Sequence, residues 1–313
     1  MLVWIERYGT AAAGLALTLF FLLFARNFAS PGNLLNIARD TSFLAIMALG
    51  FALALTVAEL DLSIAEVASL AAVVTGWMIQ SRFDPALAVL GGLGVGAALG
   101  AFNGFGVTVL NVPSLIVTLG TAAIAKGLAF MITQGVSFVG RWPATFTDLA
   151  RGSLLGVPNL IALLAVIILS TYVLLKWTRT GAHMIATGEA DAAARLAGIA
   201  TRGMKRLGLF LSGVFASITA ILLASNLSSA APNMAGDYFL YAIAAVLLGM
   251  TMFEPGRPNV IGTVFATLVL KVLGNGLVLM GAPYYVQDIV LGVIIISSVA
   301  FSASVVKKAA FKV

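Results

Sequence analysis

The segment "TVAELDLSIAEVASLAAVV", residues 56–74, places three carboxylates between two apolar runs. Glu59, Asp61 and Glu66 lie close together here, although the whole chain contains only 12 acidic residues. Ser63 and Glu66 have the spacing of a capping box, in which each side chain binds a backbone amide at the start of a helix. Asp61 directly precedes this start, where the positive end of the helix dipole favours an anion. We therefore expect a capped helix to begin at this point.

Glu59 and Asp61 also fit a second role. Neither Lys nor Arg lies between Arg39 and Arg82, whereas a cytoplasmic turn usually carries positive charge. A break between two helices is tolerated inside a membrane where it lines a watery cavity, and transporters place such breaks near their substrates. The segment is thus either an ordinary turn or a deeper break that lines a solute path.

The composition decides the class of protein. Of 313 residues, 61% are hydrophobic and only 10% are charged, against about 25% in a soluble domain. A soluble chain of this kind would expose large apolar patches. The sequence therefore predicts a polytopic integral membrane protein of the all-α class, in contact with membrane lipid.

About ten apolar segments approach the length of about 20 residues that a helix needs to cross a membrane. Broken or re-entrant segments are allowed among them, since the eighth is short. We expect the first to be retained, because no small-residue cleavage site follows it. The predicted spans are 11–29, 41–58, 63–79, 86–110, 113–133, 158–176, 207–225, 240–252, 260–280 and 285–303.

The distribution of positive charge predicts the orientation. The loop between the sixth and seventh spans carries Lys176, Arg179, Arg195, Arg202, Lys205 and Arg206. The C-terminal tail adds Lys307, Lys308 and Lys312. Ten spans with a cytoplasmic N-terminus put both regions in the cytoplasm, so both termini are expected there. The net charge of +6 then reflects topology and does not indicate a nucleic-acid partner.

The fourth span carries a glycine every four residues, at Gly92, Gly96, Gly100 and Gly104. This spacing leaves a bare groove along one face of a helix, where a second helix can approach closely. A dinucleotide-binding fingerprint is the rival interpretation, but its glycine pattern is not matched and no strand precedes it. We therefore predict close helix packing.

Several chemistries are excluded by missing residues. The chain has no cysteine and one histidine, so it offers neither thiolate catalysis nor a histidine pair for zinc. The dipeptide Gly-Lys does not occur, which excludes a P-loop. We expect no enzyme activity, no metal and no cofactor, and any ATP hydrolysis must come from another subunit.

The loop at 178–206 contains an alanine-rich stretch around Ala192 and Ala193 that predicts a short helix, ended by Gly198. Such a helix can dock in a cleft on a partner protein. It can equally be an amphipathic connector resting on the membrane, and composition leaves both interpretations open.

The chain resembles the permease subunits of the ribose-type branch of ATP-binding-cassette importers along nearly its full length. The resemblance is carried by six motifs in the order and spacing of that family. They are "LDLS" at 60–63, "IVTLGTAAIAKGL" at 116–128, "GEADAAARLAGI" at 188–199, "LSSAAP" at 227–232, "AIAAVLLG" at 242–249 and "NGLVLMG" at 275–281.

The resemblance implies that the loop helix is a coupling helix that docks on the ATPase. The implied coupling residues are Glu189, Asp191, Ala192, Ala193, Arg195, Gly198 and Ile199. Asp191 stands where the family usually has glutamate, and Ala58-Glu59 stands where it usually has a glycine pair. These departures leave both a homodimer and a heterodimer with a second permease subunit open.

We expect residues 1–313 to form a single transmembrane permease domain of the bacterial cytoplasmic (inner) membrane. It would import a small polar solute, most simply a monosaccharide. Its expected partners are a cytoplasmic ATPase and a periplasmic or extracellular solute-binding protein. The predicted pathway residues are Glu59, Asp61, Asn103, Asn111, Thr118, Thr121, Gln134, Asn226, Asn233 and Asn275. An ion-coupled secondary transporter that uses Asp61 or Glu59 is the alternative. An intramembrane enzyme is disfavoured, because the sequence offers no catalytic set.

Overall fold

The computed structural model describes residues 2–310, with side chains over residues 8–300. This part of the chain forms thirteen helices and four two-residue strands. The helices are α1 Leu2–Phe24, α2 Pro31–Thr56, α3 Ile64–Gln80, α4 Pro85–Thr108, α5 Ser114–Thr133, α6 Ala144–Arg151, α7 Asn159–Trp177, α8 Arg179–Glu189, α9 Asp191–Leu196, α10 Thr201–Leu227, α11 Tyr238–Gly249, α12 Val260–Leu279 and α13 Tyr284–Ala310. The strands form two antiparallel pairs, β1 Phe138–Val139 with β4 Ser229–Ala230 and β2 Ser153–Leu154 with β3 Val157–Pro158.

Every apolar segment predicted from the sequence coincides with a helix, so the helical, multi-pass class is confirmed. The number of spans is not. Six of the described helices are long and apolar enough to cross a membrane, namely α2, α4, α5, α7, α10 and α12. The other four apolar stretches are shorter, at Tyr8–Phe24, Ile64–Gln80, Tyr238–Gly249 and Tyr284–Ala300. They fall below the roughly 20 residues that a straight span requires.

The chain divides into two compact units. One unit, Leu49–Phe239, is built around α3, α4, α5 and α10, and it contains the break after α2 and the predicted coupling loop. The other unit combines the chain up to Ala48 with the chain from Leu240 onward. Its core includes Phe21, Phe28 and Val272, which pack together on α1, on the turn after it and on α12.

The glycine face of α4 lies directly against α10. A Cβ atom added at Gly100 would lie 2.8 Å from the carbonyl oxygen of Leu209, and one added at Gly104 would lie 3.0 Å from Cα of Arg206. Added Cβ atoms at Gly96 and at Gly213 would each meet a backbone carbonyl of the facing helix, and one at Gly92 would meet Thr75 on α3. The two backbones therefore touch without side chains between them, which is the arrangement that small residues permit in membranes.

This contact predicts a position-specific loss of stability. Gly100→Leu should lower the free energy of unfolding by about 1–3 kcal/mol, the usual cost of overpacking. Gly94→Leu is the matched control, because a Cβ atom there has no neighbour within 4 Å. The measurement is the fraction of monodisperse protein after heating in detergent. Equal stability of the two variants would show that α4 does not depend on this face.

Candidate functional site

The break between α2 and α3 spans residues 57–63 and begins with a strained residue. Ala58 has a φ of 59°, a left-handed conformation that non-glycine residues rarely adopt. The amide of Ala58 donates to the carbonyl of Leu55, and the amide of Glu59 donates to that of Ala54. These two bonds close the end of α2 as a Schellman motif. A glycine would adopt this conformation without strain.

The capping box predicted at the start of α3 is wrong. Ser63 itself has helical backbone angles, and its side chain makes no capping hydrogen bond. Its hydroxyl and its amide both donate to Oδ1 of Asp61, at 2.5 and 3.0 Å. Oε2 of Glu66 is buried and has no hydrogen-bond partner among the described residues. Asp61 therefore closes the turn that precedes α3, and the Ser63 hydroxyl donates to that carboxylate and does not cap the first turn of the helix.

Asp61 is the centre of a buried polar network that joins three helices. Asn103 on α4 donates to the hydroxyl of Ser63 at 2.9 Å, and Thr121 on α5 donates to Oδ1 of Asn103 at 2.6 Å. All four side chains are almost fully buried. We call Asp61, Ser63, Asn103 and Thr121 the Asp61 cluster. Oδ2 of Asp61 and the hydroxyl of Ser212 on α10 are buried and make no hydrogen bond within the described part of the chain.

The backbone of the break is held by α5. The hydroxyl of Thr118 accepts a hydrogen bond from the amide of Leu62 at 3.2 Å. It donates to the carbonyl of Ser114 at 2.8 Å, and the carbonyl of Leu60 is a second, more distant acceptor at 3.2 Å. The hydroxyl of Ser114 accepts from the amide of Leu60, also at 3.2 Å. These hydroxyls replace the hydrogen-bond partners that the backbone would have in a continuous helix. Thr118 therefore supports the backbone of the break.

Glu59 makes an ion pair that sequence reasoning missed. Its carboxylate lies 2.8 Å from Nζ of Lys205, in the first turns of α10, and Glu59 is only 7% exposed. The predicted coupling loop at 178–206 also packs against the end of α2, because a Cβ atom added at Gly188 would meet the carbonyl of Thr56. The break and the predicted coupling loop are therefore in direct contact. The only sequence signal for this pair was that an isolated buried acid requires a cation.

The loop forms the two short helices α8 and α9. In α9 the side chain of Arg195 lies 2.7 Å from that of Asp191, and Ala194 is buried. Gly198 has a φ of 82°, and the amides of Gly198 and Ile199 donate to the carbonyls of Arg195 and Ala194. This Schellman motif ends the helix where the sequence predicted. The remaining surface of α9 is open to solvent at Ala192, Ala193, Leu196 and Ala197.

Three predicted pathway residues make hydrogen bonds outside the Asp61 cluster. Gln134 ends α5 with an exposed side chain that donates to Met131, and the carbonyl of Asn226 accepts from Arg151. Asn275 belongs to the other compact unit, where its amide pairs with that of Asn33. Glu59, Asp61, Asn103, Thr118 and Thr121 do meet around the break. No group of residues suited to hold a metal ion occurs among those that the structure describes.

The chain combines helices able to span a membrane with a polar break between two of the apolar helices and an exposed helical loop. These are features of a multi-pass transport protein. The chain belongs to the family described as "branched-chain amino acid transport system / permease component", whose model matches residues 33–299. It is accordingly a multi-pass permease of the inner membrane and not an enzyme.

Curated relatives cover almost the whole chain. The ribose import permease protein RbsC of Escherichia coli (strain K12) is 34% identical over 300 residues, which are 95% of this chain and 93% of that protein. The probable ABC transporter permease protein y4mJ of Sinorhizobium fredii is 36% identical over 271 residues, 86% and 81% of the two chains. The D-allose transport system permease protein AlsC of Escherichia coli (strain K12) is 29% identical over 304 residues, 96% and 93%. No solved structure matches. The resemblance to permeases of ribose-type importers is confirmed.

The Asp61 cluster predicts different outcomes for two substitutions. Asp61→Ala should lower the free energy of unfolding by about 3 kcal/mol, because two buried donors of Ser63 lose their acceptor. Asp61→Asn keeps an oxygen at the Oδ1 position and should retain most of the stability. Heating in detergent followed by size-exclusion chromatography measures both. An asparagine variant as unstable as the alanine variant would show that charge, and not the two hydrogen bonds, holds the break.

The ion pair between Glu59 and Lys205 predicts a rescue. Glu59→Gln should cost about 2 kcal/mol, the value of a charge-assisted hydrogen bond with little exposure. The exchange of both residues, Glu59→Lys with Lys205→Glu, should recover part of this loss. A double-mutant cycle on thermal stability measures the coupling between the two sites. Strict additivity of the two single substitutions would contradict a direct interaction.

Proposed function

We propose that the chain is the membrane permease subunit of an ATP-driven importer for a small polar solute, with a monosaccharide as the substrate class. The observation that carries the proposal is α9, a short helix with a Schellman end and an open surface, whose flanking residues Gly188 and Lys205 contact Thr56 and Glu59 at the break. Family membership and the similarity to ribose and D-allose permeases support the substrate class.

The proposal includes the partners that such a permease needs. A cytoplasmic ATPase subunit hydrolyses ATP, because the chain has no P-loop of its own. A solute-binding protein delivers the substrate from outside, and a second permease subunit, identical or related, completes the pathway. The chain acts as one permease domain over 1–313, with about ten spans in the bacterial cytoplasmic membrane and both termini in the cytoplasm. The loop charge of the sequence supports this orientation.

The coupling residues divide into two groups by exposure. Ala192 and Ala193 are exposed, as is Leu196 between them and Gly198, so they form the surface that a partner covers. Asp191 and Arg195 bind each other and stiffen the helix. Displacement of α9 reaches the break along two routes, through Gly188 against Thr56 and through Lys205 against Glu59. Glu189 ends α8 at the joint between the two short helices, and Ile199 closes α9.

An apolar side chain at the centre of this surface provides the test. Leu196 on α9 is 91% exposed, and Leu155 in the turn between β2 and β3 is 98% exposed. Leu196→Asp should reduce ATPase co-purification and ATP-dependent D-ribose uptake by about tenfold, which corresponds to roughly 1.4 kcal/mol at the interface. Leu155→Asp, the matched control, should leave both unchanged.

The assay uses proteoliposomes that contain the chain with the ATPase subunit and solute-binding protein of the same transport system. Uptake that continues without ATP and does not respond to Leu196→Asp would favour the ion-coupled transporter. A parent chain that binds the ATPase but accumulates no sugar would refute the substrate class. Normal co-purification with Leu196→Asp would contradict α9 as the docking surface.

A further inference from the structure

The compact unit formed by the two ends of the chain contains a polar cavity of about 240 Å³. Its lining includes Asp40 on α2, Tyr241 on α11, Lys271 and Asn275 on α12, and Gln287 on α13. We infer that this cavity, the Lys271 pocket, is a binding site for a neutral polyhydroxylated solute of about one sugar ring. The inference rests on the proposed function for its substrate class.

The charged groups of the pocket lie well inside their helices. Asp40 is the tenth residue of α2, and Lys271 is the eighth from the final residue of α12. At 1.5 Å per residue, each lies about 12–15 Å from the nearer end of its helix. Both helices are long and apolar enough to span a membrane. Ionisable side chains at such depth are costly unless they face water or a ligand, so they mark a functional cavity.

The side chains of the pocket are already held in place. Nζ of Lys271 lies 5.5 Å from the centre of the Tyr241 ring, and Asp40 is close enough for electrostatic attraction to the same ammonium group. Asn275 exchanges two amide hydrogen bonds with Asn33, at 3.0 and 2.9 Å. A preformed wall of this kind loses little side-chain entropy when a ligand binds.

The chemistry of the lining selects the class of ligand. Asp40 and Lys271 have opposite charges, so the pocket favours a solute without net charge. Amide and carboxylate groups match the hydroxyl edges of a sugar, and Tyr241 with the aliphatic lining matches its C–H faces. An apolar cavity of about 150 Å³ holds a benzene ring, so 240 Å³ suits one hydroxylated ring.

The absence of cysteine from the sequence permits a direct test. Val278 lines the pocket and is 59% exposed, whereas Val293 on α13 lies outside it and is 61% exposed. Val278→Cys and Val293→Cys each introduce the single thiol of the chain at little cost in volume. Both full-length variants are reconstituted in nanodiscs and treated with a charged methanethiosulfonate, which reacts only where water reaches the thiol.

We expect rapid modification at position 278 and slow modification at 293. D-ribose or D-allose should slow the reaction at 278 about tenfold at roughly ten times its dissociation constant, since about one pocket in ten is then free. The reaction at 293 should not respond. Absent modification at 278, or equal rates with and without either sugar, would overturn the site. Protection by L-leucine and not by sugar would overturn the ligand class.

A second pair of variants links the pocket to transport. A Cβ atom at Gly274 would lie 3.1 Å from Oε1 of Gln287, so Gly274→Leu fills the pocket, whereas Gly292 on α13 has open space around it. Gly274→Leu should abolish the protection at Val278→Cys and lower ATP-dependent D-ribose uptake by about tenfold or more. Gly292→Leu should change neither.

The outcomes separate the two proposals. ATP-dependent uptake by the parent without sugar protection would remove the Lys271 pocket and leave the importer in place. Sugar protection in a chain that shows no ATP-dependent uptake would remove the importer and leave the Lys271 pocket in place.

Discussion

Backbone amides that lose their helical partners between Thr56 and Ile64 must find acceptors in an apolar surrounding. An unsatisfied amide in such a place costs several kcal/mol. Asp61 accepts from the amide of Ser63, and hydroxyls on α5 accept from the amides of Leu60 and Leu62. The interruption of the helix therefore depends on α5 beside it as well as on Asp61. The hydrogen bonds of Asn103 and Thr121 complete the Asp61 cluster, and they hold α3 against α4 and α5.

The two acids of the break have different surroundings. Asp61 faces inward, and its Oδ1 accepts two hydrogen bonds from Ser63. Glu59 lies two residues earlier and binds Lys205 near the loop. Asp61 holds the backbone of the break, and Glu59 links the break to the segment that follows α9. A single cluster of carboxylates in the sequence thus serves both a local and a longer-range contact.

The sequence predicted the features that depend on one segment at a time. Apolar length located the helices, and the period of four placed the glycines of α4 on one face. The end of α9 at Gly198 followed from its conformational freedom. Contacts between distant segments were out of reach. The capping box failed because Asp61 competes for Ser63, and Lys205 was missed because its partner is far away in the chain. Individual spans could not be counted where helices are short.

The contact between α4 and α10 has a mechanical consequence. Where two backbones touch, no flexible side chain remains to absorb strain, so neither helix can slide past the other. The pair moves as one stiff lever. Helix α10 has 27 residues and is about 40 Å long, and only residues 197–200 separate it from α9. By this geometry a tilt of about 5° at one end displaces the other by about 3.5 Å. Under the proposed coupling, a small displacement of α9 would therefore become a larger one at the far end of α10.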